Sequence, residues 1–360
     1  MVSLPLAPGS TIGILGGGQL GRMLAEAASR LGFDVAVLER EADSPAGRIA
    51  AHTIVAPYDD AEALKALAGL AGVVTYEFEN VPAASVAQLA AMGVEVAPGA
   101  RVLAVAQDRV EEKTFLNAHG VATVAFAAAA TAAEATEAVA RIGAPCLMKT
   151  RREGYDGKGQ RWVEHVDKAA EVFAALGGRP VIVEAPADFV RELSVIAARG
   201  RDGATAVYPL AENHHEDGIL RRSLAPAAAS TALADQAERI AAQILSGLDY
   251  VGVIGVELFE LKDGRLLVNE IAPRVHNTGH WTQDGCEVDQ FEQHIRAVAG
   301  WPLGPTRAIA GVEMLNLLGA EVDAWPRYAA EPETRLHLYG KRGAKPGRKM
   351  GHINRVKPLS

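Results

Sequence analysis

The chain has 360 residues, of which 49% are hydrophobic and 22% charged, and it carries a net charge of -8 at pH 7. This length allows two or three domains, and the negative charge argues against a general nucleic-acid binder, which is usually basic. No apolar run reaches the roughly 18–20 residues of a membrane span, and the N-terminus lacks a signal-peptide pattern. The two cysteines, Cys146 and Cys286, lack metal-ligand spacing. We therefore expect reduced thiols in a cytoplasmic protein with no membrane or nucleic-acid partner.

The first hundred residues alternate between short apolar strands and helical segments. The pattern predicts strands at residues 11–15, 34–38, 72–75 and 94–97, and helices at 22–31, 59–70 and 82–92. Such alternation is typical of a doubly wound parallel sheet, so we expect a Rossmann-like domain over residues 1–99.

A glycine-rich loop follows the first predicted strand. Gly16, Gly18 and Gly21 precede a helix, and Glu39 lies about 20 residues further on, which matches the dinucleotide fingerprint. Glycines there let a phosphate approach the positive end of the helix. Read alone, the loop favours an NAD-dependent oxidoreductase, although a substrate phosphate or a bare turn can use the same residues.

A second glycine-rich loop follows a predicted strand that ends at Lys149. Gly154, Gly157 and Gly159 permit positive φ angles and exposed N–H groups, while Lys149 and Lys158 add charges suited to a triphosphate. The loop lacks the Gly-x-x-x-x-Gly-Lys-Ser/Thr pattern of a Walker loop. It predicts a flap that closes over phosphates, and the alternative is a surface hairpin with solvated charges.

An Asp-Gly turn at residues 263–264, between two apolar runs, predicts a β-hairpin. Centring the hairpin on this turn places Glu257 opposite Glu270, and Phe259 opposite Val268. Two carboxylates side by side repel, and carboxylates with water suit Mg²⁺, which usually serves a phosphate ligand. The pair therefore predicts a Mg-nucleotide site, unless it lies at an exposed end of the hairpin where both charges are hydrated.

Polar residues 274–281 follow the hairpin directly, which suggests a reaction site. His276 and His280 have the spacing of a helical zinc pair, but Pro273 and Gly279 argue against a helix, so zinc is not expected. The basic stretch at residues 341–360 contains no acid, and it is either a solvated tail or a loop that grips a phosphate.

Five motifs in this order resemble the ATP-grasp superfamily and, within it, the family of N5-carboxyaminoimidazole ribonucleotide synthases. They are GGGQLGRM at 16–23, GYDGKGQ at 154–160, YPLAENHHEDGI at 208–219, NEIAPRVHNTGHW at 269–281 and PGRKMGH at 346–352. The resemblance implies an α/β fold that becomes α+β in the later domains. A small ATP-grasp lobe is expected at 100–180, a main lobe with the Mg-ATP site at 181–300 and a closing β domain at 301–360.

The resemblance also implies an ATP-dependent ligase of purine biosynthesis, acting as a homodimer. Such an enzyme uses bicarbonate and ATP to form carboxyphosphate and then carboxylates aminoimidazole ribonucleotide. Mg²⁺, or Mn²⁺, is expected on Glu257 and Glu270. The residues implied around ATP are Arg109, Lys149, Gly154, Tyr155, Asp156, Gly157, Lys158, Gly159, Gln160, Glu184, Ala185, Pro186, Ala187, Glu192, His215, Asn269 and Glu270. Those implied for the ribonucleotide are Gln19, Leu20, Glu77 or Glu79, Lys341 and Arg348, and those implied for catalysis are Tyr155, Asp156, Arg274, His276 and Asn277.

Three alternatives stay open at this point. A formate-using glycinamide ribonucleotide transformylase of the same fold resembles the chain at the first glycine loop, but the segment at residues 273–281 separates the two. An NAD-dependent oxidoreductase leaves the carboxylate pair and the second glycine loop unexplained. A nucleotide-sensing module without turnover needs a disrupted metal pair, whereas Glu257 and Glu270 are both present.

Overall fold

A computed structural model describes residues 4–154 and 158–359 of the chain. The N-terminal part is a five-stranded parallel sheet in the order β3-β2-β1-β4-β5. Its elements are β1 (Thr11–Leu15), α1 (Gln19–Arg30), β2 (Asp34–Glu39), β3 (His52–Val55), α2 (Ala61–Leu70), β4 (Val73–Tyr76), α3 (Ala83–Ala91) and β5 (Glu95–Val96). The central strands β1, β2 and β4 are apolar and buried, as a parallel sheet covered by helices on both faces requires.

Two short helices, α4 (Ala100–Ala106) and α5 (Arg109–Ala118), lead out of this sheet. The helical conformation is interrupted between them, at residues 107–108. The Asp108 carboxylate accepts hydrogen bonds from the N–H groups of Val110 and Glu111, so it caps a new helix.

The second layer is a four-stranded antiparallel sheet in the order β6-β9-β7-β8. Its elements are β6 (Phe126–Ala129), α6 (Ala132–Ile142), β7 (Cys146–Thr150), β8 (Gln160–Val163), α7 (Ala169–Ala175) and β9 (Val181–Glu184). Because β9 pairs with β6 and β7, this sheet extends past the expected lobe boundary at residue 180.

The largest sheet has nine strands in the order β15-β14-β10-β12-β13-β16-β18-β17, with β11 beside β10. Its strands are β10 (Phe189–Arg199), β11 (Thr205–Val207), β12 (Ala211–Glu216), β13 (Ile219–Ala225), β14 (Gly252–Leu261), β15 (Leu266–Ala272), β16 (Gly311–Leu318), β17 (Thr334–Leu338) and β18 (Lys349–Lys357). Its helices are α8 (Thr231–Gly247), α9 (Thr282–Gly285), α10 (Gln290–Ala299) and α11 (Trp325–Ala330), with 3-10 turns at Val166–Lys168 in the second layer and at Asn277–Gly279 and Gly319–Ala324 here. The strands after residue 301 therefore continue the main sheet, and the domain limits themselves stay a prediction.

A buried histidine connects the parallel sheet to the nine-stranded sheet. His294 of α10 accepts the N–H of Val253 at Nδ1 (3.0 Å), and its Nε2 lies 2.8 Å from the Thr75 hydroxyl oxygen. Burial lowers the pKa of His294 to about 3, so the imidazole is neutral and Nε2 carries the proton. No helix in the described ranges is long and apolar enough to cross a membrane.

Candidate active site

A cleft of about 400 Å³ opens where the three sheets meet, which is within the usual range for small-molecule sites. It brings together residues that are far apart in the sequence. The predicted site residues that line it are Gln19, Leu20, Glu79, Arg109, Lys149, Gly154, Lys158, Gln160, Glu192, His215, Glu257, Asn269, Glu270, Arg274, His276 and Asn277.

The carboxylate pair of the β14–β15 hairpin lies inside this cleft. Glu257 is directly opposite Glu270, as predicted, but a β-bulge follows, so Phe259 faces Leu267 and the expected pairing of Phe259 with Val268 is wrong. The bulge inserts one extra residue, Asn269, into β15. Adjacent residues of a regular strand face opposite sides, yet Asn269 and Glu270 both line the cleft. The bulge is therefore what brings an amide beside the carboxylate pair.

The electrostatics of the pair fit a cation. Burial, and next the charge of Glu270, raise the pKa of Glu257 to about 7, and Glu192 contributes in the same direction. Arg109 partly neutralises Glu270 from 3.1 Å. Within the described residues, no three His, Cys, Asp or Glu side chains are arranged around a common metal position. Mg²⁺ is commonly coordinated by one or two carboxylates, with phosphate and water oxygens completing its coordination sphere.

Two lysines, the buried Lys113 and the partly buried Lys149, converge on Glu184 at the end of β9. The Glu184 carboxylate lies 2.7 Å from Lys149 Nζ on β7 and 3.3 Å from Lys113 Nζ on α5. Burial acts to raise the pKa of Glu184, but the two lysines outweigh it, so the pKa falls and the carboxylate is charged. The ionised Glu184 holds the Lys149 ammonium in place beside the cleft.

The second glycine loop connects β7 to β8 as a hairpin. Thr150 donates its N–H to Gly159 O (2.8 Å), and Gly159 has φ +74°, which favours glycine. Arg109, which contacts Glu270, also donates to Gly154 O (2.9 Å), so one guanidinium connects the loop to the carboxylate pair. Tyr155, Asp156 and Gly157 lie outside the described residues, and their assigned roles stay predictions.

The first glycine loop is filled by the protein's own carboxylates. Glu77 accepts the N–H groups of Gly18 (2.6 Å) and Gly21 (2.7 Å), and Glu39 accepts that of Gly17 (2.6 Å). Burial raises the pKa of Glu77, and these backbone hydrogen bonds act against the shift. These N–H groups would face a dinucleotide phosphate, so their occupation removes the support for the NAD interpretation.

The segment after β15 carries a second ion pair and a neutral imidazole. Burial acts to raise the pKa of Glu79, but the bonded Arg274 guanidinium outweighs it and holds this pKa at about 2. Burial, together with Arg274 and Lys349, keeps the pKa of His276 well below its usual value. Neither amide atom of Asn277 has a hydrogen-bond partner in the described structure, which leaves this cleft-lining side chain available to a ligand.

Neighbouring strands hold a further acid–imidazole pair in the cleft. His215 of β12 lies 2.5 Å from a Glu192 oxygen of β10. Burial acts to lower the pKa of His215, but the hydrogen bond to Glu192 and the charges of Glu257 and Glu192 together outweigh it and raise the pKa. Glu192 and His215 are thus already paired with each other beside Glu257.

The structure does not bring every predicted residue to the wall of the cleft. Those that do not line it are Glu77, Gly159, Glu184, Ala185, Pro186, Ala187, Lys341 and Arg348. Lys341 donates to Lys349 O (2.9 Å), and Arg348 donates to the carbonyls of Arg342 and Gly343. The contacts proposed for all of these residues stay predictions. Of Glu77 and Glu79, it is Glu79 that faces the cleft.

Several residues of the cleft were not predicted from the sequence. They include Asn80, Gln107, Glu112, Arg151, Gly218, Phe259 and Lys349. Lys349 lies within the PGRKMGH motif, and its position in that motif could have indicated that it belongs to the site. Nothing local distinguishes Glu112 from an ordinary surface acid on a helix.

Three family models match successive parts of the chain. A ribonucleotide synthetase preATP-grasp domain matches residues 10–107, an ATP-grasp domain matches 114–291, and a phosphoribosylaminoimidazole carboxylase C-terminal domain matches 313–358. Together they follow the order of the sheets described above.

Relatives match over nearly the whole chain. The N5-carboxyaminoimidazole ribonucleotide synthase of Brucella melitensis is 50% identical over 355 residues, covering 98% of each chain. That of Bacillus subtilis is 41% identical, over 97% of this chain and 92% of its own. The solved synthetase of Thermus thermophilus has a TM-score of 0.91 at 45% identity, covering 96% of this chain and 93% of its own. The Aspergillus clavatus enzyme, solved with ADP and 5-aminoimidazole ribonucleotide, has a TM-score of 0.91 at 34% identity, covering 98% of this chain and 95% of its own.

Proposed function

Since the chain belongs to the family of N5-carboxyaminoimidazole ribonucleotide synthases, we propose that Glu257 and Glu270 hold the metal of Mg-ATP in its cleft. The chain is an ATP-dependent ATP-grasp ligase that carboxylates 5-aminoimidazole ribonucleotide to N5-carboxyaminoimidazole ribonucleotide in purine biosynthesis. The observation that carries the metal assignment is the opposed pair of cleft-lining carboxylates, where burial and mutual repulsion raise the pKa of Glu257 to about 7.

The bound metal, Mg²⁺ or Mn²⁺, would neutralise charge on the β- and γ-phosphates during phosphoryl transfer. Lys149, held by Glu184, and Arg109 add positive charge on the other walls of the cleft. Lys158 and Gly154 line the flap side, where closure over the phosphates would exclude water. Glu192 and His215 contribute polar contacts for the nucleotide.

In the first step, a bicarbonate oxygen attacks the γ-phosphorus of ATP, ADP leaves and carboxyphosphate forms. In the second step, the amine nitrogen of the ribonucleotide attacks the carboxyl carbon, and phosphate leaves. Arg274 stabilises negative charge on the transferring group, and the unpartnered amide of Asn277 orients it. His276, which is neutral because its pKa is depressed, accepts the proton that the amine loses.

Gln19, Leu20 and Glu79 line the side of the cleft that belongs to the parallel sheet, and we assign the ribonucleotide to that side. Its phosphate would be bound by Lys341 and Arg348 from the C-terminal segment, whose carbonyl contacts leave further N–H donors on each side chain. The proposed setting is a homodimer in the cytoplasm. Analytical ultracentrifugation tests the oligomeric state, and both cysteines are buried free thiols, as a reducing compartment allows.

The test is release of inorganic phosphate from Mg-ATP, with and without bicarbonate and aminoimidazole ribonucleotide. We expect release that depends on the ribonucleotide, together with N5-carboxyaminoimidazole ribonucleotide as product. Phosphate release that the ribonucleotide does not stimulate would contradict the proposal. Formate with glycinamide ribonucleotide serves as the comparison substrate pair.

A further inference from the structure

Helix α5 contains two consecutive charged residues that are almost completely buried. Glu112 and Lys113 are each only 2% exposed. Burying a charge costs free energy unless it is paired and hydrogen-bonded, and such pairs are seldom the most stable solution for a core. Lys113 is paired with Glu184 (3.3 Å), and burial raises the pKa of Glu112 to about 8, so each side chain is accommodated by its surroundings. The remaining contacts of the two side chains indicate what they do.

The two side chains form hydrogen bonds with the backbone on both sides of Glu270. Glu112 Oε1 accepts the N–H of Ile271 at 2.5 Å, and Lys113 Nζ donates to the carbonyl of Asn269 at 3.0 Å. Those groups belong to the two peptide units that flank Glu270. The carboxylate of Glu270 is thus attached to a stretch of backbone whose position is set by α5.

The location of β15 at the edge of the sheet explains why these hydrogen bonds are needed to fix its position. In the described structure β15 is the outermost strand of the nine-stranded sheet, so its outer backbone groups have no full strand beside them. Val268 N–H reaches Ala122 O (2.9 Å), and beyond it the bulge at Asn269 interrupts the regular ladder. Without Glu112 and Lys113, the segment that carries Glu270 would be held mainly from one side.

We propose that Glu112 and Lys113 are positioning residues that hold the Glu270 carboxylate opposite Glu257 for metal–nucleotide binding. Neither side chain needs to touch the metal or the nucleotide for this role. For Glu112 the decisive property is an accepting oxygen that reaches Ile271 N–H, and the charge is secondary. The inference rests on the proposed Mg-ATP site, because it concerns how one of its two carboxylates is held.

Two substitutions separate reach from charge at position 112. Glu112→Gln keeps an accepting oxygen at the same distance and removes the ionisable group, whereas Glu112→Asp keeps a carboxyl group and shortens the side chain. Glu111→Asp is the matched control, since Glu111 is the neighbouring acid on α5 with a 60% exposed side chain, 3.6 Å from Arg151. Lys113→Met removes the second contact together with the Lys113–Glu184 ion pair (3.3 Å), so the two substitutions of Glu112 decide the test.

The readout is the dissociation constant of Mn²⁺ in the presence of saturating ADP, from the electron paramagnetic resonance signal of free Mn²⁺. We expect Glu112→Asp and Lys113→Met to weaken Mn²⁺ binding by about tenfold or more, as loss of a partner that orients a metal ligand does. Glu112→Gln and Glu111→Asp should bind Mn²⁺ like the wild type. Circular dichroism and thermal unfolding confirm that each variant is folded.

Equal weakening by Glu112→Gln and Glu112→Asp, weakening by Glu112→Gln alone, or no weakening by either, overturns the inference. Glu270→Gln distinguishes this failure from failure of the metal assignment. If Glu270→Gln loses Mn²⁺ while Glu112→Asp retains it, the positioning role alone is wrong. If Glu270→Gln also retains Mn²⁺, the proposed metal site itself is wrong.

Discussion

Substitution of Glu270 by glutamine separates the metal role of this carboxylate from its structural role. In the absence of ligand, Glu270 makes a partly exposed ion pair with Arg109 at 3.1 Å, and such pairs contribute about 0–1 kcal/mol. Removing the carboxylate also relieves the repulsion that, after burial, raises the pKa of Glu257 to about 7, and this relief acts in the opposite direction. We therefore expect the free energy of unfolding to change by less than about 1 kcal/mol.

Turnover should respond very differently to Glu270→Gln. A metal at this position supplies several kcal/mol of charge stabilisation during phosphoryl transfer, and a loss of about 3 kcal/mol is more than a hundredfold in rate. The assay is ribonucleotide-dependent phosphate release, measured beside urea unfolding of the same preparation. Glu260→Gln is the control, because Glu260 lies on β14, the strand paired with β15, and its carboxylate is bonded to Arg191 (2.5 Å) outside the proposed metal pair. Phosphate release by folded Glu270→Gln above about a tenth of the wild-type rate would refute the assignment.

Three further outcomes are expected. Lys149→Ala should raise the ATP concentration needed for half-maximal turnover about tenfold or more, since it removes a charge-assisted contact; an unchanged ATP dependence would exclude Lys149 from the nucleotide site. Arg348→Ala should weaken ribonucleotide binding more than ATP binding in calorimetric titrations, and equal effects would contradict the phosphate grip. Acid should destabilise the fold through His294. In the unfolded chain its imidazole binds a proton with a pKa near 6.5, whereas in the native state burial lowers this pKa to about 3. Between pH 7 and 5 this difference in pKa lowers the free energy of unfolding by about 2 kcal/mol. Urea unfolding of His294→Gln should therefore show a correspondingly smaller fall in this free energy over the same pH range. An unaltered pH dependence would be inconsistent with the buried neutral imidazole.

The sequence predicted much of the fold because its local signals agree with the tertiary structure. The strand at Thr11–Leu15 has the predicted limits, and the Asp-Gly turn placed Glu257 opposite Glu270 correctly. Both are short-range features that depend on apolar runs and turn chemistry. The motifs also indicated the ATP-grasp family, which the comparisons confirm.

The remaining features depend on contacts between distant segments. The bulge at Asn269 cannot be read from β15 alone, since it reflects how that strand meets the hairpin and α5. Glu77 lies 56 residues after Gly21, and nothing near either residue indicates that their side chain and backbone meet. For the same reason, Glu112 and Lys113 resemble a solvated pair on a helix surface until α5 is packed against β15.

The cap of α5 also contacts the start of the second glycine loop. Asp108, which begins α5, also holds Arg151 at 2.9 Å and Arg152 at 3.4 Å, the two residues where the β7–β8 loop departs. The backbone N–H of Arg109 is bonded to Arg151 O as well (3.0 Å). The N-terminal end of α5 is therefore bonded to the start of the β7–β8 loop, and its side is bonded to the strand that carries Glu270. A displacement of α5 would accordingly move both the start of this loop and the backbone of Glu270.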